Sequence, residues 1–192
     1  MTHVALIRGI NLGRAKRVAM ADLRAALGRL GFQRVRTLLN SGNVVFETTL
    51  SAKSAAARIE LAMEKEIGVT ASVLVLTADE LATAIEGNRL TRVATNPSRL
   101  FVAFLWAPVK ELEAFGKRDW GSEKIALGPR AAYLWCPGGF ETPLVKAFHK
   151  AVGTGVTVRN WATVQKLHAL AQDGGETPAK KPPAKRAAPR KK

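Results

Sequence analysis

An apolar strand that runs straight into a glycine-spaced, cation-rich loop can hold an anion. The chain opens on one: Val4-Ala5-Leu6-Ile7-Arg8-Gly9-Ile10-Asn11-Leu12-Gly13, then Arg14, Lys16 and Arg17. Gly9 and Gly13 permit close backbone approach, Asn11 offers an amide, and the cations supply charge-assisted donors to phosphate or carboxylate. The loop leads into a helix, whose first free amides also favour negative charge. No Gly-Lys-Ser/Thr follows, so the loop is not a P-loop, and the three-glycine dinucleotide fingerprint is absent. The structural alternative is a strand-to-helix turn carrying solvated cations.

Arg159-Asn160-Trp161 is the second candidate. As structure, Asn160 caps a helix and Trp161 fills the core. As function, Arg159 beside the free amides of that first turn would take an oxyanion. The third is Asn40-Ser41-Gly42-Asn43, a turn whose polar groups would join Asn11 if the two loops met at one end of a sheet. The candidate anion-binding residues are therefore Arg8, Asn11, Ser41, Asn43, Arg159 and Asn160. No catalytic set is complete. His3, His149 and His168 lack metal-ligand spacing, so neither a metal nor a cofactor is expected. Cys136 as a nucleophile would need a base, and His149 is the distant candidate.

These residues need a scaffold, and the hydrophobic pattern supplies one. Strands are predicted over residues 3–10, 32–39, 44–46 and 69–76, with helices over 19–30 and from the Ser51 cap to Gly68. That order is strand, helix, strand, strand, helix, strand: the split βαβ or ferredoxin-like arrangement, with helices on one sheet face and the other left to be covered. Arg34 and Arg36 fall on that open face, which RNA-binding domains of this plan use with paired aromatics; here the aromatic signature is missing. The face is expected to pack against the second half.

The second half partly repeats the order. Thr77 and Glu80 match a capping box for a short helix to about Ile85. A strand over 100–106, a helix from Pro108 to Phe115, strands near 123–127 and 131–136, a helix from the Thr142-Pro143 cap to Val152, and a last helix from Asn160 follow. The expected fold is α+β: a ferredoxin-like half over 1–76, a second α+β half over 77–171 in the same compact unit, and a Lys/Ala/Pro-rich tail over 172–192. That tail holds no large apolar residue and is expected to be disordered.

The 192 residues carry 30 Lys+Arg against 15 Asp+Glu, a net charge of +15. Seven of those cations, Lys180, Lys181, Lys185, Arg186, Arg190, Lys191 and Lys192, lie in an acid-free stretch over 177–192; removing them leaves 23 against 15, still +8. Both parts should attract polyanions, so nucleic acid or an anionic small molecule is the expected partner. One cysteine excludes an internal disulfide framework and fits a reducing cytoplasm. No long apolar run or charged leader is read, so no membrane partner and a soluble, cytoplasmic location are expected.

Ala5 to Gly13, Val18-Ala19-Met20 with Leu23, Gly31-Phe32, Val35-Arg36-Thr37 and Ser41-Gly42-Asn43-Val44 resemble the domain-of-unknown-function family numbered 1697. Thr157-Val158-Arg159-Asn160-Trp161, with Thr163-Val164 and Lys166-Leu167, resembles its second signature; the likeness spans about residues 2–170. It implies a bacterial, soluble α+β fold of two ferredoxin-like parts and no known activity. It also marks Arg8, Asn11, Ser41, Asn43, Arg159 and Asn160 as the polar positions to test. Thr142-Pro143 stands where the family often has Ser and a basic residue. The leading expectation is a protein binding a phosphate-bearing ligand, most of all nucleic acid, aided by the tail. The alternatives are a small enzyme acting on a nucleotide or other anionic metabolite, and a protein-interaction module with a solubilising tail.

Overall fold

The computed structural model describes residues 1–11 and 17–173. The loop residues Leu12 to Lys16 and residues 174–192, including all seven tail cations, lie outside the described residues.

Strands β1 (Thr2–Arg8), β2 (Gln33–Leu38), β3 (Asn43–Glu47) and β4 (Ser72–Thr77) form one antiparallel sheet in the order β2-β3-β1-β4. Strands β5 (Leu100–Leu105), β6 (Lys124–Leu127), β7 (Ala131–Trp135) and β8 (Val156–Asn160) form a second in the order β6-β7-β5-β8.

Helices cover both faces of both sheets. In β1, Ala5 and Ile7 point toward α1 (Met20–Arg29) and α2 (Ala52–Ala62), packing with Leu23, Leu27 and Ile59. Val4 and Leu6 point the other way, onto α3 (Ala78–Glu86) and α5 (Trp161–Gln172), and through them onto Val102, Phe104 and Tyr133 of the second sheet. A third apolar cluster joins the outer face of that sheet to α4 (Pro143–Val152). Burial on both faces is why β1 reads as a continuous apolar run rather than an alternating one: Val4, Ala5 and Leu6 are 0 % exposed and Ile7 is 1 %.

Several local expectations hold. Thr77 and Glu80 close their capping box around α3, Ser51 accepts from Ser54 N, and Gly68, left-handed at φ +73°, ends the α2 segment. Others change. The helix expected from Pro108 is a 3-10 segment over Lys110–Lys117. Strand β8 was not among the expected elements: its five residues follow a Gly-Thr-Gly turn and end on Asn160, the residue that caps the next helix. Thr142 precedes α4 without capping it through its side chain; instead Glu123 Oε2 accepts from Leu144 N at 2.9 Å. The last helix runs through Gln172, one residue into the segment assigned to the tail.

The face carrying Arg36 is occupied, as expected. Arg36 Nη2 donates to the carbonyls of Leu170 at 2.6 Å and Asp173 at 3.0 Å, so the first sheet holds the C-terminal carbonyls of α5. Arg34 sits in a bulge of β2 and pairs with Glu47 at 3.4 Å.

Candidate functional site

The C-terminal end of β1 and the C-terminal end of β8 meet where the two sheets adjoin. Arg159 bridges them. Its Nε donates to Asn43 Oδ1 at 2.5 Å, Nη1 to Thr157 Oγ1 at 2.9 Å and to Val158 O at 2.8 Å, and Nη2 to Ile7 O at 2.9 Å and Ser41 O at 3.2 Å. Those five bonds match the five N–H donors of a guanidinium. Among the described residues no carboxylate pairs with it. Burial pulls its pKa down to about 10, so it keeps its charge at neutral pH without a counter-ion.

The Asn40–Asn43 turn and the first loop do meet. Asn11, left-handed at φ +56°, donates from Nδ2 to Asn40 O at 2.7 Å and to Val18 O at 3.1 Å, while its Oδ1 accepts from Val18 N at 2.8 Å. Asn11 therefore staples the loop, and its side chain borders a neighbouring cleft with Arg17 and Met20. Asn43 is fully buried and ties Leu38 O, Ser41 Oγ and Arg159 together. Asn160 accepts from Thr163 N at 2.9 Å and is the N-cap of α5.

Arg8, Ser41, Arg159 and Asn160 line one pocket of about 500 Å³ between the sheets. Among the described residues Arg8 makes one hydrogen bond, from Nη1 to Thr154 O at 2.5 Å, leaving Nε and Nη2 able to donate. The pocket also contains Leu39, Phe140 and His149, and none of its lining residues is an acid. His149, on α4, has its pKa lowered from the usual imidazole value, first by burial and then by the Arg8 charge. Its neutral form is thus favoured, and protonation adds a third cation to the pocket.

Leu39 and Phe140 escaped the reading of the sequence as site residues, and His149 entered it only as a distant base for Cys136. Leu39 and Phe140 carry no chemistry of their own, and α4 brings His149 to Arg8 only in three dimensions. Cys136 is buried beside Thr142 and Glu123; burial raises its thiol pKa to about 11, and it is held in the unreactive protonated form. No group of three or more His, Cys, Asp or Glu side chains among the described residues could hold a metal ion. No described helix is long and apolar enough to cross a membrane.

Two four-stranded antiparallel sheets with helices on both faces, joined at an acid-free cationic pocket, define a mixed α/β protein. The chain belongs to the family described as protein of unknown function DUF1697, whose model matches residues 1–133. That span contains Arg8, Asn11, Ser41 and Asn43; Arg159 and Asn160 lie beyond it. The chain is similar in fold to the conserved bacterial protein SP0830 from Streptococcus pneumoniae, at 22 % identity and a TM-score of 0.73, over 89 % of this chain and 98 % of that one. No curated protein matches the chain.

Proposed function

We propose that the chain binds a small phosphate-bearing or carboxylate-bearing ligand in the pocket between its two sheets. One observation carries this reading: Arg8, Arg159 and His149 line the same pocket, and no acid lines it. Arg159 contributes field rather than contacts, because its donors are already engaged. Arg8 supplies the free donors, and the N-terminus of α5 adds its dipole. Among the described residues of the pocket no hydroxyl is hydrogen-bonded to His149, and binding is the function that the arrangement supports best. Supporting the same plan, the strand order of the second sheet repeats that of the first, which favours two split βαβ halves, 1–76 and 77–171.

Inorganic phosphate tests the pocket at constant ionic strength. Ligand binding to the folded state raises stability by about 2.7 kcal/mol at a hundred times Kd. The wild-type melting temperature should rise with phosphate, and Arg8→Gln should lose that rise while remaining folded. An unchanged wild-type melting temperature, or an equal rise in Arg8→Gln, rejects the pocket.

The second reading is nucleic acid, supported by the acid-free run of seven cations in residues 177–192. Deleting that run should weaken duplex DNA binding and reduce the slope of log K against log salt by up to about six, because fewer counterions are released. Equal slopes with and without the run would leave the tail no part in polyanion binding.

A further inference from the structure

The same pocket has an apolar side that an inorganic anion would not use. Six large hydrophobic residues are exposed in the described structure, and two of them, Leu39 at 55 % and Phe140 at 38 %, border this one pocket. Phe140 is held in place by edge-on contacts with Phe101, ring centroids 4.9 Å apart, and with His149, 5.5 Å apart. Leu39 is held at φ +58°, a left-handed conformation that a leucine adopts only at a cost. Asn or Gly would suit that backbone better, so stability alone does not account for an exposed leucine there. A pocket with cations on one side and a fixed ring and a strained leucine on the other matches a ligand with two ends.

We propose that the ligand is an anion carrying a planar aromatic group, of the nucleoside monophosphate class, with its phosphate at Arg8 and its base against Phe140 and Leu39. This rests on the anion-pocket reading above and narrows it. The pocket, at about 500 Å³, lies in the size range of small-molecule sites.

Calorimetric titration of the full chain with AMP, UMP, ribose 5-phosphate and inorganic phosphate separates the two claims. AMP or UMP should bind about tenfold or more tightly than ribose 5-phosphate, the margin that one base stacked on an aromatic ring supplies. Phe140→Ala should remove most of that margin and leave ribose 5-phosphate affinity unchanged. Leu39→Asn should raise the melting temperature by about 2–4 °C, by relieving the backbone, and still weaken AMP binding. Ribose 5-phosphate binding as tightly as both nucleotides would overturn the aromatic class and leave the anion pocket standing. No binding of any of the four would overturn both. A Leu39→Asn chain that gains stability without losing nucleotide affinity would also count against the proposal, since the leucine would then have no ligand to serve.

Discussion

Truncating Arg159 to alanine should cost about 3–5 kcal/mol of stability, measured by urea unfolding. The guanidinium satisfies acceptors on three separate segments: Ile7 on β1, Ser41 and Asn43 at the β2–β3 turn, and Thr157 and Val158 on β8. Asn43 is 0 % exposed and Thr157 is 2 %, so water does not readily replace the lost donors there. A buried acceptor left without a partner costs about 1–3 kcal/mol, and several are orphaned at once. Ser41 O lies nearer to solvent and should contribute least. Arg159→Lys should not restore the loss, because an ammonium donates from one point and cannot span five acceptors arranged around a planar fork. A loss below about 1 kcal/mol for Arg159→Ala would mean that water enters and takes the guanidinium's place.

Gly42→Ala should be comparably severe, at about 3 kcal/mol or more. Gly42 lies at φ +75°, where any L side chain is strained. A Cβ there would stand 2.7 Å from the carbonyl oxygen of Ile7, 2.9 Å from Ile7 Cβ and 3.1 Å from Ile10 Cδ1. The nearest of these is backbone and cannot swing aside. The same pair of residues shares a hydrogen bond from Ile7 N to Gly42 O at 2.7 Å, so moving the turn away breaks it. Gly28 is the control. It lies inside α1, where an added Cβ meets nothing within 4 Å. Gly28→Ala should therefore stabilise the protein, by about 0.5–1 kcal/mol, through helix propensity and a less flexible unfolded chain. If both substitutions destabilise alike, the close approach at Gly42 is not what sets the cost.

What was legible in the sequence was local in origin. Val4 to Ile7 announce a strand covered on both sides because every residue is apolar. Thr77 and Glu80 announce their helix because a capping box needs only four consecutive residues. Glu123 gave no such signal: it caps α4 from 21 positions before Leu144, a relation that exists only after folding. The 3-10 segment over 110–117 follows a proline and carries mixed charges, so its local preference for an α-helix was weak and packing decided otherwise.

The candidate site shows the same division. The types at Arg8, Ser41, Arg159 and Asn160 were readable as polar and cationic, and the fold gathers those four around one pocket. Their individual duties were not readable. Asn160 and Asn11 hold backbone, and Arg159 has its donors engaged by five acceptors that no sequence spacing could have revealed. Phe140 and Leu39 enter the pocket from loops far apart in the chain, so no motif joined them to the arginines.

The position of α5 has a consequence for the order in which the chain is made. Trp161, Val164 and Leu167 cover Val4, Leu6 and Val45, which leave a ribosome more than 110 residues before them. Until about residue 170 has emerged, the inner face of the first sheet has only part of its lid, however well its outer helices have formed. Strands β1 and β3 must therefore wait, with that face open, until α5 has been made. At typical elongation rates of about 5–20 residues per second, that wait is on the order of ten seconds. A nascent chain halted before α5 should be a client for holding chaperones, and a chain long enough for α5 to dock should cease to be one.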